Sequence, residues 1–387
     1  MTNAQIEIQL IAALVAVACA LPGTFLVLRK MAMISDAISH AILPGIVLGF
    51  FITQDLNSPL LILLATLTGV ITVVLVEFIQ KTGLVKEDTA IGLVFPALFS
   101  IGVILIAKNA NDVHLDIDAV LLGELAFAPF DRLFISGTDM GPKSLWVIGT
   151  ILLISVVLLF LFFKELKLST FDKGLATTLG FSPVLLHYGL MTVSSVTIVG
   201  AFDAVGAVLV VALIIAPAAT AYLLTDDLKR MLLLSCLFGI IAAIAGYWMA
   251  NILDASIAGS MTTVLGMLFL FVYLFSPRQG VLYGFFRERQ QRVEVSLLIF
   301  LLHLQNHTEE EEERHVNHLR EHINWQKVRA KTVLELAAKN NLIQTSKQIV
   351  SLTEKGQEFT DEALKYITTN KATAIEELKE RFFLFRG

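Results

Sequence analysis

The sequence predicts a helical membrane domain of many spans followed by a small soluble α+β domain, and three observations carry that reading. Of its 387 residues 56% are hydrophobic and only 16% are charged, a mean hydropathy of +0.74 that points away from a water-soluble core. Apolar windows recur at lengths suited to crossing a bilayer. After Phe286 the composition turns to Glu, Lys, Arg, His and Gln. The net charge of −5 sums over these unlike parts and describes neither surface.

Nine windows read as spans: roughly 6–28, 37–53, 59–79, 89–107, 144–163, 184–201, 206–224, 231–250 and 260–276. No basic segment precedes the first, so it reads as a retained span and not a cleaved signal. Basic residues fall on alternate connections. One set holds Arg29 and Lys30, Lys81 and Lys86, Lys164, Lys167 and Lys173, Lys229 and Arg230, then Arg278, Arg287, Arg289 and Arg292. The opposite set holds only Lys108, Arg132 and Lys143. The positive-inside rule therefore predicts an N-terminus outside and everything past Pro277 in the cytoplasm. Cys19 and Cys236 both lie in apolar runs, so no disulfide framework or CxxC site is expected. No G-x-x-x-x-G-K-[ST], HExxH or Ser/His/Asp set occurs, which excludes a P-loop ATPase and gives no support to a membrane hydrolase.

The segment from Met31 to Gly45 runs an acid and an imidazole into a span. Asp36 and His40 are four residues apart and share a helix face. Ionisable groups are costly there and mark a substrate or ion path, and a carboxylate with an imidazole suits Mn, Fe or Zn. The alternative is that Asp36 caps a helix and His40 packs in the bundle. Pro44 removes the partner of the His40 carbonyl, adding an oxygen nearby. Gly45 and Gly49 form a GxxxG step. It would let a twofold partner bring a second Asp/His pair across the axis, or serve packing inside one chain. Pro217 likewise frees the carbonyl of Leu213, and Asp203 reads as the N-cap of the span that follows or as a residue at the outer mouth.

In the connection 224–231, Thr225 or Asp226 is expected to cap a brief helix, with Lys229 and Arg230 at its far end complementing the dipole. Asp172–Gly180 is a second segment on the same side. The opposite loop, 108–143, carries Asp112, His114, Asp116, Asp118 and Glu124, an acidic solvated loop or a docking surface.

Residues 287–387 read as a separate domain. Helices are expected over 293–304, 316–323 and 328–340, then two β-prone pieces within 341–356 meeting near Thr345–Lys347, then a helix over 357–367. That is the order of a winged helix-turn-helix. His315, His318 and His322 share a helical face beside Glu309–Glu313, either as a transition-metal site or as a solvated helix. Lys327, Arg329, Lys331 and Lys339 could meet phosphates, yet numerous acidic neighbours leave DNA binding open.

Four stretches together carry a family resemblance: Leu28–Gly45, Lys86–Gly92, Phe171–Gly180 and Val205–Ala221. On them, residues 1 to about 280 resemble the membrane subunits of bacterial ABC importers for manganese, zinc and iron. The C-terminal hundred residues resemble the winged-helix part of metal-dependent repressors of the diphtheria-toxin-repressor type, most tellingly at Leu352–Gly356. The resemblance implies an all-α polytopic membrane protein of about nine transmembrane helices over 1–286, plus a cytoplasmic winged-helix-like domain over 287–387. It implies a non-catalytic permease of the bacterial plasma membrane, with transported Mn, Zn or Fe and no permanent cofactor. Asp36 and His40 would line the path or gate, and Asp226, Asp227, Lys229 and Arg230 would dock a separate cytoplasmic ABC ATPase. An extracytoplasmic metal-binding protein and a second permease copy, identical or paralogous, are the other implied partners. Two readings of other classes stand beside it: a secondary metal transporter, and a membrane-tethered metal-responsive transcriptional regulator.

Overall fold

Apolar residues fill the segment after Glu7 and form α1 (Asn3–Leu28), 26 residues long. At about 1.5 Å per residue it crosses a hydrocarbon layer of roughly 30 Å with room to tilt. A capping box closes its start: the Gln5 N–H donates to Thr2 Oγ1, and the Thr2 N–H donates to Gln5 Oε1 at 3.0 Å. A tight turn holding Lys30 at φ +62° leads to α2 (Met33–Ala41) and α3 (Leu43–Thr53). The break between them at Ile42 follows from Pro44, which sits in the first turn of α3 and cannot donate to the His40 carbonyl.

The computed structural model describes residues 2–54, 58–109, 125–135, 138–277, 280–308, 310, 314, 327–346 and 349–368. The chain divides into two compact units, Met1–Val281 and Leu282–Gly387. In the first, α4 (Pro59–Lys81) and α5 (Glu87–Asn109) precede a hairpin of β1 (Arg132–Ile135) and β2 (Thr138–Pro142). Then come α6 (Lys143–Leu161), α7 (Phe163–Phe171), the single turn-and-a-half α8 (Lys173–Thr178), α9 (Pro183–Val205), α10 (Ala207–Tyr222), α11 (Leu228–Leu253) and α12 (Ile257–Phe275).

Among the described residues eight helices are long and apolar enough to cross a membrane, with α2 and α3 counted as one, and α10 is a shorter ninth. Its 16 residues reach about 24 Å, short of the layer. It packs instead against α1, α2, α9, α11 and α12, with Leu209, Val210, Leu213 and Ile214 fully buried. One residue, Gly206 at φ +78°, separates α9 from α10, a conformation that glycine adopts without steric cost. Asp203 therefore lies inside α9, and Gly206 occupies the cap position of α10 with no side-chain cap. The expectation that Asp203 caps the following span is wrong, because α9 continues through Val205 and the cap position falls on Gly206.

The GxxxG step has a clear use. A Cβ on Gly45 would meet the Leu64 carbonyl oxygen at 2.5 Å and Ala65 Cα at 2.8 Å, and one on Gly49 would meet Leu61 Cα at 3.0 Å. Both glycines pack α3 onto α4 of the same chain, so the step does not serve a twofold partner. Hydroxyls add interhelical bonds: Ser195 donates to the Thr66 carbonyl at 3.1 Å across α9 and α4, and Thr24 to Ser235 at 3.2 Å across α1 and α11.

The second unit starts one residue into α13 (Val281–Asn306), which is followed by α14 (Lys327–Lys339), the antiparallel hairpin β3 (Ile343–Ser346) and β4 (Ile349–Leu352), and α15 (Glu354–Thr368). Leu297, Phe300, Leu301, Val333, Val350 and Phe359 belong to a separate buried cluster there. The helix expected over 316–323, with His315, His318 and His322, lies outside the described residues, as do Asp112, His114, Asp116, Asp118 and Glu124.

Two outcomes follow. Gly45→Val forces a side chain onto the α4 backbone, which typically costs about 1–3 kcal/mol. The protein in detergent should melt at a lower temperature, and an unchanged midpoint would mean α3 does not pack this way. A fragment 282–387, with its own buried cluster, should melt cooperatively in aqueous buffer; a non-cooperative profile would deny it independent folding.

Candidate functional site

Seven of the nine residues of α2 are apolar or small, and the helix is wedged between α4, α5, α9 and α10. Ile34, Ser35, Ala37, Ile38, Ser39 and Ala41 are buried, which leaves Met33, Asp36 and His40 as an open stripe at i, i+3 and i+7. The two serines turn their hydroxyls onto their own helix, Ser35 donating to the Ala32 carbonyl and Ser39 to that of Ser35 at 2.9 Å. Asp36 and His40 are free to face outward. His40 Nε2 stands 3.6 Å from Asp36 Oδ1, with the side chains 34% and 37% exposed. That separation is long for a hydrogen bond, so the two groups converge without being consumed by one another. Phe95 and Phe99 of α5 back the imidazole, with ring centroids 5.8 and 6.5 Å away. Asp36 caps nothing: it lies in the first turn of α2, whose cap position is Ala32.

Among the described residues no group of three or more His, Cys, Asp and Glu side chains is placed to hold a metal. A four-coordinate or six-coordinate ion needs more than the two ligands α2 supplies.

The end of the bundle where α1 leaves and α2 begins carries a second polar centre. Arg29, at the C-terminus of α1, donates to Thr170 Oγ1 at 3.1 Å, to Ser169 Oγ at 2.9 Å and to His187 Nδ1 at 3.4 Å. With Nδ1 accepting, Nε2 carries the hydrogen, and it meets Glu77 Oε1 of α4. The other Glu77 oxygen accepts from Tyr188 at 2.8 Å and from Lys81 at 3.4 Å. Beneath lies an apolar cluster of Phe25, Leu159, Leu166, Leu190 and Leu228.

Leu228 in that cluster brings the connection 223–227 to the same end, and Ser276 at the close of α12 donates to the Leu223 carbonyl at 2.6 Å. Here the expectation for 224–231 needs correction. Asp227, not Thr225 or Asp226, is the cap, accepting from the Arg230 N–H at 2.9 Å, and that bond holds its carboxyl below the usual carboxylate range. The helix it starts is the 26-residue α11, so Lys229 and Arg230 occupy a first turn and do not complement the dipole. Asp226, Asp227, Lys229 and Arg230 are all exposed. The brief helix at this end is α8, capped by Asp172, which accepts from the Leu175 N–H at 2.9 Å. Only Ala176 of α8 is buried, and Phe171, Leu175 and Leu179 stand exposed around it.

A bundle that isolates one acid and one imidazole on a broken helix invites comparison with known transporters. The model of the ABC 3 transport family matches residues 3–276, nearly the whole first unit. The chain belongs to this family. Among its relatives is the zinc transport system membrane protein TroD of Treponema pallidum, 48% identical over 353 residues, covering 90% of this chain and 96% of the relative. The manganese transport system membrane protein MntD of Bacillus subtilis is 46% identical over 269 residues, 70% of this chain and 91% of MntD. Among solved structures, PsaBC from Streptococcus pneumoniae in complex with Fab superposes with a TM-score of 0.61 at 28% identity, covering 72% of this chain and 94% of that one. The match to TroD is longer than the first unit, so it reaches into the second; the match to MntD is not.

For an ABC 3 family chain, then, sequence reasoning singled out Asp36 and His40 and did not bring Arg29, Glu77, His187 and Tyr188 together as a group. A signal was available. Glu77 and His187 fall inside windows read as spans, where an ionisable residue is a functional candidate by default.

Proposed function

We propose that the chain is the permease subunit of an ATP-driven importer of a divalent transition metal, Mn²⁺, Zn²⁺ or Fe²⁺, with Asp36 and His40 on the translocation path. The observation that carries this is the open Asp36–His40 stripe on a helix otherwise buried. Relatives named for zinc and for manganese transport support the metal class, and a carboxylate with an imidazole suits each of these ions. The incomplete ligand set supports a second permease copy that contributes its own pair, so that the ion is held by two carboxylates and two imidazoles. Alternating access then exposes these ligands first to an extracytoplasmic metal-binding protein and afterwards to the cytoplasm.

The chain has no phosphate-binding loop, so hydrolysis falls to a separate cytoplasmic ATPase. Its docking surface is the exposed, partly apolar α8 together with the turn of Asp226, Asp227, Lys229 and Arg230. Excess Lys and Arg at this end support a cytoplasmic orientation, and the proposal extends to a cytoplasmic winged-helix-like second unit with His315, His318 and His322 as candidate regulatory metal ligands.

Asp36→Asn keeps the shape and removes the charge. Uptake of Mn²⁺ and of Zn²⁺ by the complex in proteoliposomes should fall by at least about tenfold, equal to about 1.4 kcal/mol, with membrane insertion and ATPase association intact. Full uptake at normal expression would remove Asp36 from the path. Lys229→Glu with Arg230→Glu, and separately Leu175→Glu in α8, should each reduce the ATPase recovered on co-purification. Undiminished recovery with both would refute this docking surface.

A further inference from the structure

The partly buried contacts of Arg29 lie between the two sites just assigned. Arg29 ends α1, and α2 with its Asp36–His40 pair starts four residues later. Its guanidinium reaches two other helices at once, Ser169 and Thr170 at the end of α7 and His187 near the start of α9. The acceptors are fixed. Ser169 and Thr170 each donate their hydroxyl hydrogen back to the Leu166 carbonyl, at 3.3 and 2.7 Å, so only their lone pairs are left for Arg29. A planar fork with donors at set angles then registers the position of α7. One residue, Asp172, separates α7 from α8. On the other side, α2 is short and bounded by the turn at Lys30 and by the break at Ile42, so its position is set by the helices packed against it and follows their movement. His187 extends the chain of contacts to Glu77, and so to α4, against which α2 also packs.

We infer that Arg29 is a positioning residue that passes movement of the docking helix α8, through α7, to α2, and so sets the geometry of Asp36 and His40. This rests on the docking and path assignments above. In this role Arg29 acts indirectly and needs no contact with the metal or the ATPase. Its loss leaves both partners bound and disconnects them.

The test uses the full chain assembled with its ATPase and binding protein in proteoliposomes, with Mn²⁺ and Zn²⁺ as separate probes. ATPase co-purification, ATP hydrolysis and metal uptake are measured for Arg29→Gln and for the pair Ser169→Ala with Thr170→Val, which removes the same contact from the far side. The expected result is co-purification and hydrolysis near the unmodified level, with the ratio of metal moved to ATP hydrolysed lowered by about tenfold in both. A residue that merely holds the fold together would lower uptake and hydrolysis in proportion, leaving that ratio unchanged; this result overturns the inference. So does an unchanged ratio at full uptake, and so does failure of both variants to assemble, since the contact would then be a staple. Undiminished ATPase recovery with the α8 and 229/230 variants sinks the docking assignment. Intact docking with an unchanged ratio sinks only the Arg29 link.

Discussion

Moving an ionisable side chain into hydrocarbon costs roughly 2.5–3.5 kcal/mol on insertion scales, and the bundle is arranged around that penalty. Within its apolar length the serines and threonines turn back on their own helices, as Ser39, Thr72 and Ser194 do at 2.8–2.9 Å. Glu77 and His187 are tied to each other and to Tyr188, Lys81 and Arg29. Among the described residues, Asp36 and His40 differ from these: they stand 3.6 Å apart and partly exposed, too far for a good hydrogen bond. The proposed role of this pair in receiving a cation rests on that openness.

The same penalty explains why the pair sits on α2. A helix that donates its other face to α4, α5, α9 and α10 has a fixed rotation, so the direction of its polar stripe is set by packing and not by the stripe itself. Pro44 ends that helix within two turns of Asp36. Asp36 and His40 are therefore carried on a short segment with a turn at one end and a break at the other, and Arg29 occupies the turn.

Local sequence rules misled where they ignored neighbours. Gly45 and Gly49 fit a dimerisation step, but the nearest helix is α4 of the same chain, and it takes that face first. Asp203 has the right residue type to cap a helix, yet α9 and α10 meet through Gly206 alone. Thr225 and Asp226 precede a pair of basic residues in the pattern of a brief capped helix, but the helix continues for 26 residues because nothing in its apolar run stops it. The hairpin β1–β2 was not anticipated. Strands of four and five residues are too short to show a period beside a long apolar span.

Composition and periodicity by themselves determined the multi-span helical class, the approximate position of each span and the candidate pair Asp36 and His40. Those features follow from a solvent that rejects unpaired polar groups, and the rejection is written residue by residue along the chain. The tertiary structure alone decided that α10 is a short enclosed helix, that the glycine step is spent inside one chain, and that Arg29, Glu77, His187 and Tyr188 meet. Their positions in the chain are separated by up to 159 residues, from Arg29 to Tyr188. What joins them is the packing of α1, α4, α7 and α9, a non-local contact that no window of sequence contains.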